Sequence, residues 1–345
     1  IFEKDIPKEI PYYFLKSQKL IEKTEYYKKR KKNLICKVMY NLYMNLETFI
    51  MSREMKKIIN YLGKVDILID FDAGATKYIE KIKAEKKVAW IHNSIPKLKK
   101  KKSKIERFGR RLEKYDKIVA ICDEMKEELK KIYPNLKNKI TRIYNPFNFD
   151  RIKLLENNEE NLSDREKKLL KDKYIVAIAR LDNVQKDFNT LIKAFKILKE
   201  KGNKEKLYII GDGPDLNRLR AMIEEYRLEQ NIILLGERLN PLNIEKKCDI
   251  FFLPSYYEGK PMAVTEAQML GLVPLITRFS SADEVVDNNI NGIICDNSEN
   301  GILLGLNYAI ENIELVRSKY KCNVLNNDYT NVNEFRLIED LFKSE

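Results

Sequence analysis

From Val65 onward the chain alternates short apolar runs with amphipathic stretches. The run Ile67-Leu68-Ile69 is followed by a helix-like segment over residues 75–83, then an apolar run at 88–91 and a basic helix-like segment at 103–113. Another run at 118–121 and a helix over 124–132 complete this series. After Asn145-Pro146 and the polar stretch 156–164 the pattern restarts, with strands expected at 174–179, 207–210, 232–235, 250–253 and 273–276. Helices are expected between them at 188–199, 216–226 and 262–270, and an amphipathic terminal helix at 331–342. Short, continuous, Ile/Val-rich runs between helices mark parallel strands covered on both faces. Two successive doubly wound α/β units are therefore predicted.

The 345 residues suit two domains of ordinary size. The expected boundaries are 1–148 for a basic first domain, 149–328 for a second domain, and 329–345 for a C-terminal helix packing back on the first. One irregularity stands out. The chain begins at Ile1, and residues 1–10 hold no opening strand, glycine turn and helix. The expectation is a chain lacking its original N-terminus or a first domain abbreviated there, short of part of a ligand cleft.

Charge adds to this picture. Of 65 Lys+Arg and 52 Asp+Glu, residues 1–150 hold 37 and 20, so the first part carries +17 and the remainder −4. Such asymmetry points to two domains with different partners, the first facing something anionic. The five cysteines are scattered singly, and Cys36, Cys122 and Cys295 each follow an isoleucine. That pattern fits reduced, packed thiols in a cytoplasmic protein better than a disulfide framework or a zinc site. No apolar run approaches the ~20 residues of a membrane helix, and no signal-peptide pattern opens the chain.

The segment richest in chemistry is Ser255-Tyr-Tyr-Glu258-Gly259-Lys260-Pro261-Met262-Ala-Val-Thr-Glu266. It follows an expected strand, turns through Gly259 and enters a helix near Pro261. A loop carboxylate and free amides at a helix start suit a phosphate or a polyhydroxylated ligand. Glu258 and Glu266 can accept hydrogen bonds from hydroxyls at two separated points. In Ala179-Arg180-Leu-Asp-Asn-Val-Gln-Lys186-Asp187, Arg180 offers a fork of donors and Lys186 a mobile point charge, which suits a diphosphate. The turn Gly211-Asp212-Gly213-Pro214 is neither a dinucleotide fingerprint nor a P-loop.

Together with Leu235-Gly236-Glu237, these pieces make residues 172–300 resemble the donor-binding domain of glycosyltransferase family 4, of GT-B architecture. The resemblance implies two Rossmann-like domains facing a cleft and a retaining transfer from a nucleotide diphosphate sugar, expected to be a UDP-sugar. It implies that Arg180 and Lys186 bind the diphosphate, that Glu258 contacts the transferred sugar and that Glu266 holds the ribose. The amides of Gly259, Lys260, Pro261 and Met262 would meet sugar and phosphate, with Glu237 and Arg238 near the base. Lys260 stands where the family often has an apolar residue. His92, the only histidine, sits at a strand end where the family often places one facing the donor sugar. In such enzymes the leaving diphosphate assists the acceptor hydroxyl on the same face of the sugar, without a metal. Arg180, Lys186 and Glu258 then become the catalytic groups.

Residues 65–146, with Asp70-Phe71-Asp72, Trp90-Ile91-His92-Asn93 and Ile143-Tyr-Asn-Pro, resemble capsule and lipopolysaccharide transferases of the same family. Asp70, Asp72 and Asn93 are candidates for the acceptor side, where a glycan or lipid-diphosphate-linked glycan would bind. Asp70 and Asp72 also match an Asp-x-Asp metal motif of another transferase architecture, but they lie in the half expected to hold the acceptor, so no metal is expected there and the alternative to an acceptor pocket is a strand-end cap. The run Lys97, Lys99, Lys100, Lys101, Lys102, Lys104, Arg107, Arg110 and Arg111 contains a single acid, Glu106. It is either a solvated basic face or a docking surface for anionic lipid on the inner face of the cell membrane, each basic residue adding on the order of 1 kcal/mol. Nucleic acid is not expected, since no helix-turn-helix, zinc finger or aromatic RNA-binding signature is present.

Three function classes remain open at this point: the transferase, an epimerase or phosphorylase of GT-B fold, and a non-catalytic GT-B-like binding protein. The first requires Arg180, Lys186, Glu258 and Glu266 to meet on one cleft wall.

Overall fold

The computed structural model describes residues 6–99, 101–160, 162–169, 175–325 and 330–343. The chain divides into two compact units, residues 1–90 with 101–118, and residues 91–100 with 119–345.

In the first unit, residues 18–62, to which the apolar pattern assigned no element, form two helices, Gln18–Lys29 and Leu34–Leu62. The second starts at an N-cap, the Asn33 carboxamide oxygen accepting from Ile35 N and Cys36 N at 2.9 and 3.2 Å. The helices stack Tyr27 on Tyr43 at 5.3 Å between ring centroids. Strands β1 (Ile67–Phe71) and β2 (Lys86–Ile91) run parallel, from Ile67 opposite Lys86 to Phe71 opposite Trp90. Between them the expected helix at 75–83 is replaced by one 3₁₀ turn, Ile79–Lys81. Buried Thr76, Ile79 and Ile82 recur every three residues, the repeat of a 3₁₀ turn rather than an α-helix. The four-stranded sheet has the order β1-β2-β3-β4, with β3 at Lys117–Ala120 and β4 at Ile140–Arg142, the latter among the second unit's residues.

The second unit carries a six-stranded sheet of β5 (Ile175–Ile178), β6 (Leu207–Ile210), β7 (Ile232–Gly236), β8 (Ile250–Leu253), β9 (Val273–Thr277) and β10 (Ile293–Cys295). Tyr174, included in the first of these expected strands, lies outside the described residues. All neighbouring pairs are parallel, and the order is β10-β9-β8-β5-β6-β7. Every residue of β6, β8 and β9 is buried, which is why they read as unbroken apolar runs. Successive side chains enter opposite cores. Ile175, Ala177, Leu207, Ile209 and Phe252 pack with helices Phe188–Glu200 and Glu299–Glu311, while Val176, Tyr208, Ile210 and Phe251 pack with helix Met262–Met269.

Helix Phe188–Glu200 buries Phe188, Leu191, Ile192, Phe195 and Leu198, a stripe of helical period. Each of its two phenylalanines gains about 1.5–3 kcal/mol from burial. Its N-cap Asp187 accepts from Thr190 N at 3.1 Å. No disulfide joins the five cysteines, all of which are among the described residues, and Cys122, Cys248 and Cys295 are buried. Among the described residues no helix is long and apolar enough to cross a membrane.

Candidate nucleotide-sugar site

The order of the six-stranded sheet reverses between β5 and β8. From β5 the chain moves outward to β6 and β7, then crosses back to β8 on the other side of β5 and continues to β9 and β10. At such a switch point the two connections leave in opposite directions, and the carboxyl ends of the strands open onto a natural ligand site. Arg180 follows β5 and Glu258 follows β8, so both stand at this position.

The two loops are stitched together. Lys186 forms an isolated antiparallel bridge with Ser255, Tyr256 N donates to Gln185 O at 2.9 Å, and Asp187 N donates to Pro254 O. This brings the Lys186 ammonium into a direct ion pair with the Glu258 carboxylate, the two side chains only 12 % and 10 % exposed. Glu258 also accepts from Ser255 Oγ at 2.6 Å and from Gln185 Nε2 at 3.3 Å. The carboxylate is therefore fixed by three donors.

A cavity of about 530 Å³ adjoins the β5 end, lined by Arg180, Gly211, Asp212, Gly213, Glu237 and Arg238 among others. Its shape depends on the two glycines. A Cβ on Gly211 would lie 2.0 Å from Ala179 O, and one on Gly213 would lie 2.3 Å from Leu181 O. The weak Gly-Asp-Gly signal thus marks a turn whose backbone must touch the backbone after β5. Arg180 is exposed, while Arg238 is engaged by Glu166 and by Leu235 O at 3.0 Å.

After Glu258 the chain makes a close approach at Gly259. A Cβ there would lie 2.9 Å from Ile121 Cδ1 and 3.0 Å from the carbonyl oxygen of His92. Ser281 Oγ donates to Gly259 O, holding the turn from the other side. Lys260 is directed to the Tyr144 ring, its ammonium 3.1 Å from the centroid, and burial pulls its pKa down. The Tyr144 hydroxyl donates to Glu284 at 3.1 Å, and Glu284 accepts the N–H groups of Asp123 and Glu124 at 3.0 and 3.1 Å. Pro261 precedes the helix Met262–Met269, in whose first turn Met262 is half-buried. Glu266 lies about one turn further in, half-buried; burial pushes its carboxyl up and Arg151 acts against that.

The remaining candidates divide between the two units. Asp70 and Asp72 are in the first unit, where the buried Asp70 carboxylate accepts from Ala75 N at 2.9 Å and from the Tyr115 hydroxyl. Asp72 has the left-handed φ of 68° that this turn requires. Asn93 is half-buried beside His92 in the second unit. Lys97 stands 5.1 Å from the Tyr257 ring. The helix Lys102–Leu112 buries Phe108 and Leu112 and exposes Lys102, Lys104, Arg107 and Arg110; Lys101 just before it is exposed, and Lys99 and Arg111 are half-buried. Lys100 lies outside the described residues. Among the described residues no group of three or more His, Cys, Asp or Glu side chains could hold a metal ion. The motif reading missed Gln185, Ser255, Ser281 and Glu284, which orient the site residues. Only the three-residue spacing of Ser255 from Glu258 hinted at one of them.

Residues 158–320 match the model of the glycosyl transferases group 1. The uncharacterized glycosyltransferase MJ1059 of Methanocaldococcus jannaschii is 34 % identical over 163 residues, covering 47 % of this chain and 39 % of that protein. The Campylobacter jejuni N-acetylgalactosamine-N,N'-diacetylbacillosaminyl-diphospho-undecaprenol 4-alpha-N-acetylgalactosaminyltransferase is 33 % identical over 154 residues, covering 44 % of this chain and 41 % of that protein. The chain thus spans about two fifths of the length of these curated relatives. Among solved structures, Anabaena Alr3699/HepE in complex with UDP and glucose superposes with a TM-score of 0.69 at 16 % identity, covering 83 % of this chain and 80 % of that one. The fold is the α/β GT-B architecture, with two parallel-sheet domains.

Proposed function

We propose that this protein is a retaining glycosyltransferase that moves a sugar from a UDP-sugar to a glycan or lipid-diphosphate-linked glycan of a bacterial surface polysaccharide. The observation that carries the reading is the Lys186–Glu258 ion pair at the switch point of the six-stranded sheet, beside the cavity lined by Arg180. Two cations at one strand-end site suit a diphosphate leaving group, and a carboxylate locked by three donors suits a sugar hydroxyl. The match over residues 158–320 and the acceptor named for the Campylobacter jejuni relative support the same assignment.

In this reading the acceptor oxygen bonds to the anomeric carbon as the bond to the diphosphate breaks. A diphosphate oxygen on the same face accepts the acceptor's proton, which preserves the anomeric configuration and needs no metal. Arg180 and Lys186 stabilise the departing charge, Glu258 orients the sugar, and Glu266 accepts the ribose hydroxyls. Asp70, occupied by its own turn, has a structural role, and the exposed face of helix Lys102–Leu112 docks on anionic lipid at the cytoplasmic side of the membrane.

The test is a panel of UDP-sugars offered with a lipid-diphosphate acceptor, with product anomers read by NMR and parallel reactions in EDTA. The expected result is transfer with retained configuration, insensitive to chelation and abolished by Glu258→Ala. Saturating UDP at about 100 times its dissociation constant should stabilise the fold by about 2.7 kcal/mol, and no thermal shift at all would sink the assignment.

A further inference from the structure

Behind the site lies a carboxyl group that the mechanism does not use. Glu245, at the end of the short helix Leu242–Glu245, is 1 % exposed, and its Oε1 has no hydrogen-bond partner. Neighbours of Glu245 on its own segment make the cavity wall and the core: Pro241 lines the 530 Å³ cavity, and Leu242 and Ile244 share a buried cluster with Val264 and Ala267, which flank Glu266. The same short helix packs on helix Phe149–Leu155, which bears Arg151. Two charges bear on this region: Glu266 acts on Glu245, and Arg151 acts on Glu266. Burial drives the Glu245 carboxyl well above the ordinary range of a glutamate, and the charge of Glu266 adds to that.

We propose that Glu245 is a positioning residue of the nucleotide subsite: a neutral carboxylic acid behind Glu266 that leaves Glu266 as the single carboxylate offered there to a ligand's hydroxyls. The proposal rests on the assignment of Glu266 to the nucleotide. Its physical basis is that burial disfavours the charged form of a carboxyl and a neighbouring negative charge disfavours it further. The pair loses its protons to solvent in two steps. The half-exposed Glu266, with Arg151 to offset its charge, ionises first. Glu245, sealed from water, keeps its proton against that charge. An acid so placed retains a hydrogen-bond donor that an ionised glutamate would lack, and it spares the diphosphate a second negative charge nearby.

The test uses the full chain and needs a ligand only in its last arm. Infrared difference spectra between wild type and Glu245→Gln at neutral pH should show the C=O stretch of a protonated carboxylic acid in the wild type alone. In Glu266→Gln that band should titrate away at lower pH, because the opposing charge is gone. No band, or a band indifferent to Glu266→Gln, overturns the proposal whether or not UDP binds. For the nucleotide, Glu245→Leu should weaken UDP binding about tenfold, on the scale of outer-shell partners, and Glu245→Gln should recover most of it. Unchanged UDP affinity in Glu245→Leu overturns the positioning role. Absence of UDP binding in the wild type overturns the nucleotide assignment and with it that role, while the infrared arms still decide the neutral acid.

Discussion

Replacing Lys186 by Met and Glu258 by Gln, singly and together, isolates the ion pair on which the site is built. Both side chains are nearly buried, at 12 % and 10 % exposure. Removing one member of a buried pair leaves an uncompensated charge, at a cost of about 3–5 kcal/mol. Glu258 keeps Ser255 Oγ at 2.6 Å and Gln185 Nε2 at 3.3 Å when Lys186 is lost, so Lys186→Met falls at the low end, about 3 kcal/mol. Glu258→Gln strands the ammonium instead and is of similar size. The double variant contains neither charge, so it should be less destabilised than the two single costs combined, with a coupling of roughly 2–3 kcal/mol. Urea denaturation of all four proteins, followed by circular dichroism, measures it. Single effects that add to within about 0.5 kcal/mol would refute the claim that the pair is a buried electrostatic unit.

Three further substitutions probe the surroundings. Gly259→Ala places a methyl 2.9 Å from Ile121 Cδ1 and 3.0 Å from a backbone oxygen; the expected cost is about 1–3 kcal/mol in unfolding assays, with a larger proportional loss in UDP-sugar turnover. Glu284→Ala strips the acceptor from Asp123 N and Glu124 N; a loss of about 1–2 kcal/mol is expected, with faster amide exchange in helix Asp123–Ile132, and Glu284→Gln should recover part of both. Glu245→Gln should stabilise the fold increasingly as pH rises. Its folded-state carboxyl titrates above the reference 4.5, so its contribution is complete below that pH and is lost above it, by up to about 1.4 kcal/mol per pH unit. A stability difference that is flat between pH 5 and 8 would mean that Glu245 is ionised in the fold.

Strands β5, β6, β8 and β9 of the six-stranded sheet were legible because they are buried almost throughout. Ile250–Leu253 and Leu207–Ile210 have the same bounds in the sequence pattern and in the structure, since no exposed face dilutes the apolar run. Strand β10 and helix Phe149–Leu155 went unread, one at three residues and the other at seven offering too short a window for periodicity. Helix Leu34–Leu62 escaped for another reason. Its single buried residue is Glu47, so its apolar positions mark no core-facing stripe. At the site, Lys186 and Glu258 were found as separate motif residues, but no spacing rule could reveal that they pair with each other across 72 positions. Glu245 carried no signal, because its role comes from what is folded over it.

The same contrast explains why the chemistry gathers where it does. A parallel sheet that reverses its order leaves one gap at the carboxyl ends of its two central strands, and the chain must cross it with loops that cannot hydrogen-bond to a neighbouring strand. Here those loops satisfy each other through Lys186 and Ser255, and in doing so they draw a cation and an acid together at the gap. Tight glycine turns at Gly211 and Gly259 then keep the surrounding backbone close enough that no side chain fills the space. A polyanion with hydroxyls fits such a place because it offers an acceptor to Lys186 and donors to Glu258 at once. The two can then exchange part of their mutual contact for contacts to the ligand, leaving neither charge buried and alone. A neutral ligand without hydroxyls would have to separate the pair with nothing to offset the loss, and should bind this site far more weakly than UDP.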